Sequence, residues 1–138
     1  MTLFIVKLNA NGLRDQSKRA GLLQWVRSLT VVPDIVCLQE CHCPSHLECQ
    51  TWFQASGYLC ALAAGSTYAL GCIILFRPTL SLVQSWSEPD GKFLMCEFRF
   101  CNQVFHVCCV YAPNSNPQHN QFHDDVSNLS PFAIFGNL

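Results

Sequence analysis

The sequence predicts a mixed α/β domain in which a sheet is covered by helices on one face. Three observations lead to this prediction. The first 38 residues alternate a β-rich run, an amphipathic run and a second β-rich run, which is typical of a βαβ unit. Residues 58–111 contain further β-rich runs separated by turn residues. Half of the 138 residues are hydrophobic and only 12% are charged, which excludes a disordered chain.

The βαβ unit is predicted from three consecutive segments. Residues Thr2 to Leu8 are mainly apolar and stop at Asn-Ala-Asn-Gly, which indicates a strand ended by a turn. From Ser17 onward, apolar residues recur three or four positions apart at positions 20, 22, 23, 26 and 29, which predicts an amphipathic helix. After Pro33, the run Ile35 to Leu38 predicts a second strand parallel to the first.

The remaining elements are a second helix, a series of strands and a final helix and strand. Ser45 to Ala55 is predicted to be helical, with Ser45 as N-cap and Glu48 completing a capping box. Five β-rich runs then predict a meander appended to the βαβ unit, with Asn102-Gln103 as a two-residue hairpin turn. These runs are Tyr58 to Ala63, Cys72 to Phe76, Leu80 to Trp86, Lys92 to Phe100 and Val104 to Tyr111. A helix near Gln118 to Leu129 and a strand over Phe132 to Phe135 complete the pattern.

Composition limits the location and the partners of the chain. No apolar run approaches the roughly 20 residues of a membrane span, and Lys7 interrupts the apolar start before a signal peptide can form. We therefore expect a nuclear or cytoplasmic protein that is not secreted, has no membrane partner and keeps its ten cysteines reduced. The net charge of −1 does not indicate a polyanion partner, so a nucleic-acid site would have to be local.

Polar residues follow three of the predicted strands, where a rigid scaffold presents side chains to a ligand. Asn9 and Asn11 follow the first strand, Glu40 follows the second, and Tyr111 and Asn114 follow the seventh. Each has an ordinary alternative, because Asn favours turns and a lone Glu can simply face solvent. A carboxylate that is not solvated needs a cation, and Mg²⁺ typically takes one or two carboxylates and keeps several waters.

Taken in order and at these spacings, the motifs resemble the endonuclease/exonuclease/phosphatase superfamily, which has the fold of exonuclease III and DNase I. Three segments carry the resemblance, and Gly71 to Phe76 matches the family's Gly-rich strand entry. The segments are Leu8-Asn9-Ala10-Asn11-Gly12-Leu13-Arg14, Asp34-Ile35-Val36-Cys37-Leu38-Gln39-Glu40 and Val110-Tyr111-Ala112-Pro113-Asn114. Together with Lys18 to Trp25, they are most similar to the endonuclease domains of non-LTR (LINE-type) retrotransposons.

The resemblance implies a role for each matched residue. Glu40 corresponds to the family's metal-binding glutamate, and Mg²⁺ or Mn²⁺ is the implied cofactor. Asn9 and Asn11 fall where the family keeps active-site polar residues near the metal. Tyr111 and Asn114 match residues placed near the scissile phosphate, which makes all five the candidate catalytic residues. The expected chemistry is metal-assisted phosphodiester hydrolysis of DNA, with Arg14 and His42 as candidate phosphate contacts.

The resemblance also implies that residues 1–138 form a partial domain, truncated at its C-terminus. The family has a Gly-Asp-Phe-Asn motif and a later Ser-Asp-His motif, whereas here Gly136 is followed only by Asn137 and Leu138. We therefore expect little or no activity from this chain alone and only weak DNA binding. The expected fold is the N-terminal half of a four-layer α/β/β/α sandwich, whose exposed inner sheet face predicts self-association.

Other functions remain open at this point. Closely spaced Cys and His residues between Cys37 and Cys49 allow a zinc-binding module. A decayed, non-catalytic remnant or a weak nucleic-acid-binding module would retain the fold without the chemistry. Within the superfamily, the complete enzyme could also act on RNA, a phospholipid head group or a small phosphoester.

Overall fold

The computed structural model describes residues 2–111 and the strand at residues 133–136, and it confirms a mixed α/β fold. The described elements form two four-stranded sheets and two helices. In chain order they are β1 (Ile5–Asn9), α1 (Gln16–Ser28), β2 (Ile35–Gln39), α2 (His46–Phe53), β3 (Leu59–Ala63), β4 (Cys72–Phe76), β5 (Ser81–Ser87), β6 (Phe93–Phe100), β7 (Gln103–Val110) and β8 (Ala133–Gly136). Neither described helix is long and apolar enough to cross a membrane.

The first sheet has the strand order β1-β2-β4-β3, and both helices lie on its outer face. β1 and β2 are parallel, with Ile5 paired to Ile35, so the predicted βαβ unit is confirmed. Leu22 and Val26 of α1 and Phe53 of α2 are buried in one cluster with residues of β2 and β4. The amphipathic face of α1 therefore covers the sheet, as its periodicity predicted.

The helix ends follow the predicted capping chemistry. Ser45 is the N-cap of α2, and its side chain accepts a hydrogen bond from Glu48 N at 3.2 Å, as predicted. α1 begins one residue before the predicted start, because the Asp15 carboxylate accepts a hydrogen bond from Ser17 N at 2.8 Å. Short polar side chains thus fix where both helices begin.

The second sheet has the order β5-β6-β7-β8, which corrects the predicted single meander. The chain changes sheets after β4, because β2 and β3 occupy both edges of β4 and leave none for β5. The β6–β7 turn is Cys101-Asn102, both with positive φ, rather than Asn102-Gln103; Gln103 instead pairs with Phe100. β8 is parallel to β7 and confirms the predicted last strand, whereas the predicted helix at 118–129 lies outside the described residues.

The inner faces of the two sheets pack against each other. Phe76 of the first sheet and Phe98 of the second bring their ring centroids to 5.1 Å. Around them, the shared core contains Ile35, Cys37, Ile74, Leu94, Cys96, Val107 and Cys109. The expectation of an exposed inner sheet face is therefore wrong, since the described strands already supply both sheets. The sheet face on which self-association was predicted is therefore buried between the two sheets.

Candidate metal and phosphate site

The C-terminal ends of β2 and β7 meet where the two sheets touch. The buried side chain of Gln39, the last residue of β2, donates a hydrogen bond from Nε2 to the carbonyl of Val110, the last residue of β7. One residue earlier, Cys109 Sγ donates to the carbonyl of Leu38 at 3.5 Å. Because the two strand ends are tied together, Glu40 and Tyr111 leave the two sheets at the same edge of the molecule.

The loop after β1 runs beside the residues that follow β2. Ala10 N donates to the Gln39 carbonyl at 2.8 Å, and Gly12 N donates to the Glu40 carbonyl at 2.6 Å. These bonds extend the β1–β2 pairing beyond the strands. Asn9 and Asn11 therefore lie beside Glu40. We call Asn9, Asn11, Glu40 and Tyr111 the strand-end site; Asn114, its fifth predicted member, lies outside the described residues.

The two asparagines also have the turn role that the sequence left open. Asn9 Oδ1 accepts a hydrogen bond from Asn11 N at 3.0 Å, which is an Asx turn. Asn11 itself is left-handed, with φ 50°. Asn tolerates this conformation better than most residues. The Asn9 side chain and the left-handed Asn11 backbone thus shape the loop that runs beside Glu40.

Glu40 and His42 form a partly buried pair. His42 Nε2 lies 3.2 Å from Glu40 Oε2, and the two side chains are 18% and 19% exposed. Both residues are left-handed, with φ 56° and 57°, while Cys41 between them is buried in the core below. Left-handed backbone at a non-glycine residue costs about 1–2 kcal/mol and clusters at functional sites. Backbone strain is therefore found at Glu40, the predicted metal ligand, and at His42, its partner.

A glycine creates the space in which the His42 ring lies. Gly12 has φ +88°, and a Cβ built on it would be 2.8 Å from His42 Nδ1. A side chain at position 12 would displace the ring that contacts Glu40. Gly12 of the Asn-Ala-Asn-Gly turn is thus a positioning residue for the pair.

Basic side chains stabilise the loop that carries the asparagines. Lys18 Nζ donates to the Asn11 carbonyl at 2.7 Å, and Arg19 Nη1 donates to the carbonyls of Leu13 and Arg14, each at 2.8 Å. Arg19 also lies 4.8 Å from the ring centroid of Trp52. Arg14, the predicted phosphate contact, is exposed at the end of this loop.

Two neighbouring loops support the site, and the sequence did not indicate their role. Cys41 N donates to the Gly71 carbonyl at 3.0 Å, and Gly71 N donates to the Gly91 carbonyl at 3.1 Å. Tyr111 N donates to the Lys92 carbonyl at 2.8 Å. The β3–β4 loop thus hydrogen-bonds to Cys41, the residue after Glu40, and the β5–β6 loop hydrogen-bonds to Tyr111. The segment Pro89-Asp90-Gly91 predicts a turn, but the sequence does not indicate that this turn contacts Gly71.

The oxygen donors at the strand-end site suit a hard divalent cation. Carboxylate and amide oxygens, such as those of Glu40, Asn9 and Asn11, are ligands that Mg²⁺ and Mn²⁺ prefer. Residues 2–111 contain no group of three His, Cys, Asp or Glu side chains that could hold a metal ion. Cys37 faces the core between the sheets, whereas Cys41, Cys43 and Cys49 lie on the opposite side of the first sheet. The described geometry therefore gives no support to the zinc alternative.

Solved structures share this two-sheet arrangement. Humanized TDP2 from D. rerio aligns with a TM-score of 0.68 and 21% identity, over 91% of this chain and 58% of that protein. The 3′ phosphatase NExo from Neisseria, bound to a product DNA hairpin, aligns with a TM-score of 0.67 and 18% identity, over 99% and 57%. The human nocturnin catalytic domain with a bound sulfate anion gives 0.65 and 15%, over 95% and 62%. The chain thus spans less than two thirds of each of these proteins, and the likeness shows the fold.

A family model places the chain by sequence. No curated protein sequence matches it significantly. The model described as endonuclease/exonuclease/phosphatase family matches residues 8–133, which include every strand from β2 to β7 and the whole strand-end site. With motif, fold and family model in agreement, this chain belongs to the endonuclease/exonuclease/phosphatase family.

Proposed function

We propose that residues 1–138 are part of a Mg²⁺- or Mn²⁺-dependent DNA endonuclease of the non-LTR retrotransposon type and carry its metal-binding half. The observation that supports this most strongly is the convergence of Asn9, Asn11 and Glu40 at one edge, tied to Tyr111 through the Gln39–Val110 hydrogen bond. A DNA substrate is consistent with two of the similar structures, NExo with a DNA hairpin and D. rerio TDP2 with a single-strand DNA product. The retrotransposon type and the nuclear or cytoplasmic location both rest on the sequence.

Each residue of the site has a distinct proposed role. Glu40 binds the cation, which when bound acts as a Lewis acid on the phosphoryl oxygen. Asn9 and Asn11 hold the loop beside it and present amide groups to the metal or phosphate. Tyr111 and Asn114 donate hydrogen bonds to the phosphate, where negative charge increases during hydrolysis. Arg14 and His42 contact flanking phosphates, and His42 also orients the Glu40 carboxylate.

The 138-residue chain is proposed to bind metal without efficient turnover. Residues 1–138 by themselves do not include the Asp of the family's Gly-Asp-Phe-Asn motif or the His of its Ser-Asp-His motif. General acid–base groups contribute about 10²–10⁴-fold to rate, so their absence leaves hydrolysis strongly impaired. DNA contact through a few basic residues remains weak and salt-sensitive.

Replacing Glu40 by Gln is expected to weaken Mn²⁺ binding at least about tenfold, because the neutral amide lacks the charge that the cation requires. Free Mn²⁺, measured by electron paramagnetic resonance, reports the affinity. Glu97→Gln is the matched control, since Glu97 also pairs with a histidine, His106, at 3.0 Å and is equally shielded at 18% exposure. Loss of affinity in Glu97→Gln, or unchanged affinity in Glu40→Gln, would contradict the assignment.

A plasmid-nicking assay with Mg²⁺ tests the substrate and the expected low turnover. We expect the chain to convert supercoiled DNA no faster than its Glu40→Gln variant does. Nicking that depends on Glu40 would show that the strand-end site suffices for hydrolysis and would overturn the expected inactivity. Absence of both Mn²⁺ binding and nicking would favour the decayed, non-catalytic remnant.

A further inference from the structure

Three cysteines meet on the side of the first sheet that faces the helices, away from the strand-end site. Cys43 precedes α2, Cys49 lies within α2, and Cys60 lies on β3. Cys43 and Cys49 are buried in the hydrophobic cluster on this face, and Cys60 packs against the same cluster. We call Cys43, Cys49 and Cys60 the thiol cluster. Cys43 and Cys49 belong to the zinc alternative, which the described residues do not support. None of the three cysteines belongs to the strand-end site.

Only one member of the cluster is open to solvent. Cys43 and Cys49 are fully buried, whereas Cys60 is partly exposed. Cys60 also lines an open cavity of about 420 Å³, together with Phe53, Tyr58 and Phe76. β3 is an edge strand of the first sheet and, among the described strands of that sheet, pairs only with β4. A small solute can therefore reach Cys60 before it reaches the other two thiols.

Contacts within the cluster shift the pKa values of Cys49 and Cys60 in opposite directions. Hydrogen bonding from Cys49 lowers the pKa of Cys60, which favours its thiolate. The same interactions, together with burial, raise the pKa of Cys49, which keeps that thiol protonated. A partly exposed thiol with a lowered pKa, beside a buried thiol, is the arrangement found at peroxide-sensitive cysteines with a resolving partner.

We propose that Cys60 is an oxidation site and that peroxide converts Cys49 and Cys60 into a reversible disulfide between α2 and β3. The Cys60 thiolate attacks hydrogen peroxide, its O–O bond breaks, and Cys60 becomes a sulfenic acid while hydroxide leaves and is protonated to water. Cys49 sulfur then attacks Cys60 sulfur, the S–S bond forms, and the S–O bond breaks. The departing hydroxide takes the Cys49 thiol proton as water. Two thiols are thus oxidised to one disulfide, and one peroxide is reduced to two waters.

Peptide mapping of the unmodified 138-residue chain tests this directly. After brief hydrogen peroxide treatment and alkylation of free thiols, non-reducing mass spectrometry is expected to show a peptide linked through Cys49 and Cys60. The link should disappear after reduction with a dithiol. Oxidation that spares Cys60, or a link between Cys43 and Cys49, would overturn the proposal without bearing on metal binding at Glu40.

Variants separate the two steps. Cys49→Ser removes the resolving thiol, so the Cys60 sulfenic acid is expected to persist and to be trapped by dimedone. Cys101→Ser is the control, because Cys101 is exposed in the β6–β7 turn outside the cluster, and its loss should leave the Cys49–Cys60 link intact. Loss of the link in Cys101→Ser, or no dimedone adduct on Cys60 in folded Cys49→Ser, would contradict the assigned roles. Circular dichroism establishes that each variant is folded.

Discussion

Phe98→Ala is expected to lower the free energy of unfolding by about 3–5 kcal/mol, one of the largest effects of any single substitution in this chain. Phe98 is fully buried between the two sheets, and its ring centroid lies 5.1 Å from that of Phe76 and 5.6 Å from that of Phe105. Truncation removes this apolar contact and leaves a cavity that the two sheets can only partly close. Urea denaturation followed by tryptophan fluorescence measures the loss.

Phe4→Ala is the matched control for this experiment. Phe4 is 38% exposed at the start of the chain, so its removal should cost clearly less, below about 2 kcal/mol. If Phe98→Ala were no more destabilising than Phe4→Ala, the second sheet would not be packed on the first as described.

Gly91→Ala is expected to destabilise the fold by at least about 2 kcal/mol, because it combines backbone strain with a steric clash. Gly91 has φ +76°, and a Cβ there would lie 2.6 Å from the Ala64 carbonyl oxygen and 2.9 Å from Gly71 N. Both atoms belong to the backbone and cannot rotate away. Since Gly71 in turn accepts the hydrogen bond of Cys41 N, the change should also weaken Mn²⁺ binding at Glu40.

Gly21→Ala provides a control of opposite sign. Gly21 lies within α1, and nothing would stand within 4 Å of an added Cβ. Alanine favours a helix interior over glycine by roughly 0.5–1 kcal/mol, so this variant should be more stable than the parent chain. Thermal unfolding of both variants checks the pair; a destabilised Gly21→Ala or a neutral Gly91→Ala would contradict the packing of these positions.

Local signals predicted most of the elements. The 3.6-residue periodicity predicted α1, and Ser45 and Glu48 marked the start of α2. The ends of the β-rich runs lie within three residues of the observed strand ends. The distribution of strands between two sheets was not predictable from these signals. It depends on which strand edges are already paired, and a run such as Cys72–Phe76, buried on both faces, does not reveal its neighbours. The single-sheet expectation failed for this reason.

Local signals also predicted part of the candidate site, but not the position of Tyr111. Asn9 ends β1, Asn11 follows it, and Glu40 follows the parallel strand β2. The carboxyl ends of adjacent parallel strands lie at the same edge of a sheet. The position of Tyr111 beside them depends on Gln39, a buried polar residue at the end of an apolar strand whose partner is 71 residues away. A polar residue in that place must find a hydrogen-bond partner, but the sequence does not say which. The support that Gly71 and Gly91 give to Cys41 is equally non-local.

The proposed metal site at Glu40 is tested most directly by locating bound Mn²⁺ in the ¹⁵N-labelled chain. Paramagnetic broadening of backbone amide signals reports where the ion lies. At substoichiometric Mn²⁺, the amides of Gly12, His42 and Tyr111 are expected to broaden first, because all three border Glu40 or the tied ends of β2 and β7. Signals of Glu97 and His106, which form a similar carboxylate–imidazole pair on the second sheet, should remain sharp. Broadening centred on Glu97 and His106, or spread evenly over the chain, would contradict a metal site at Glu40.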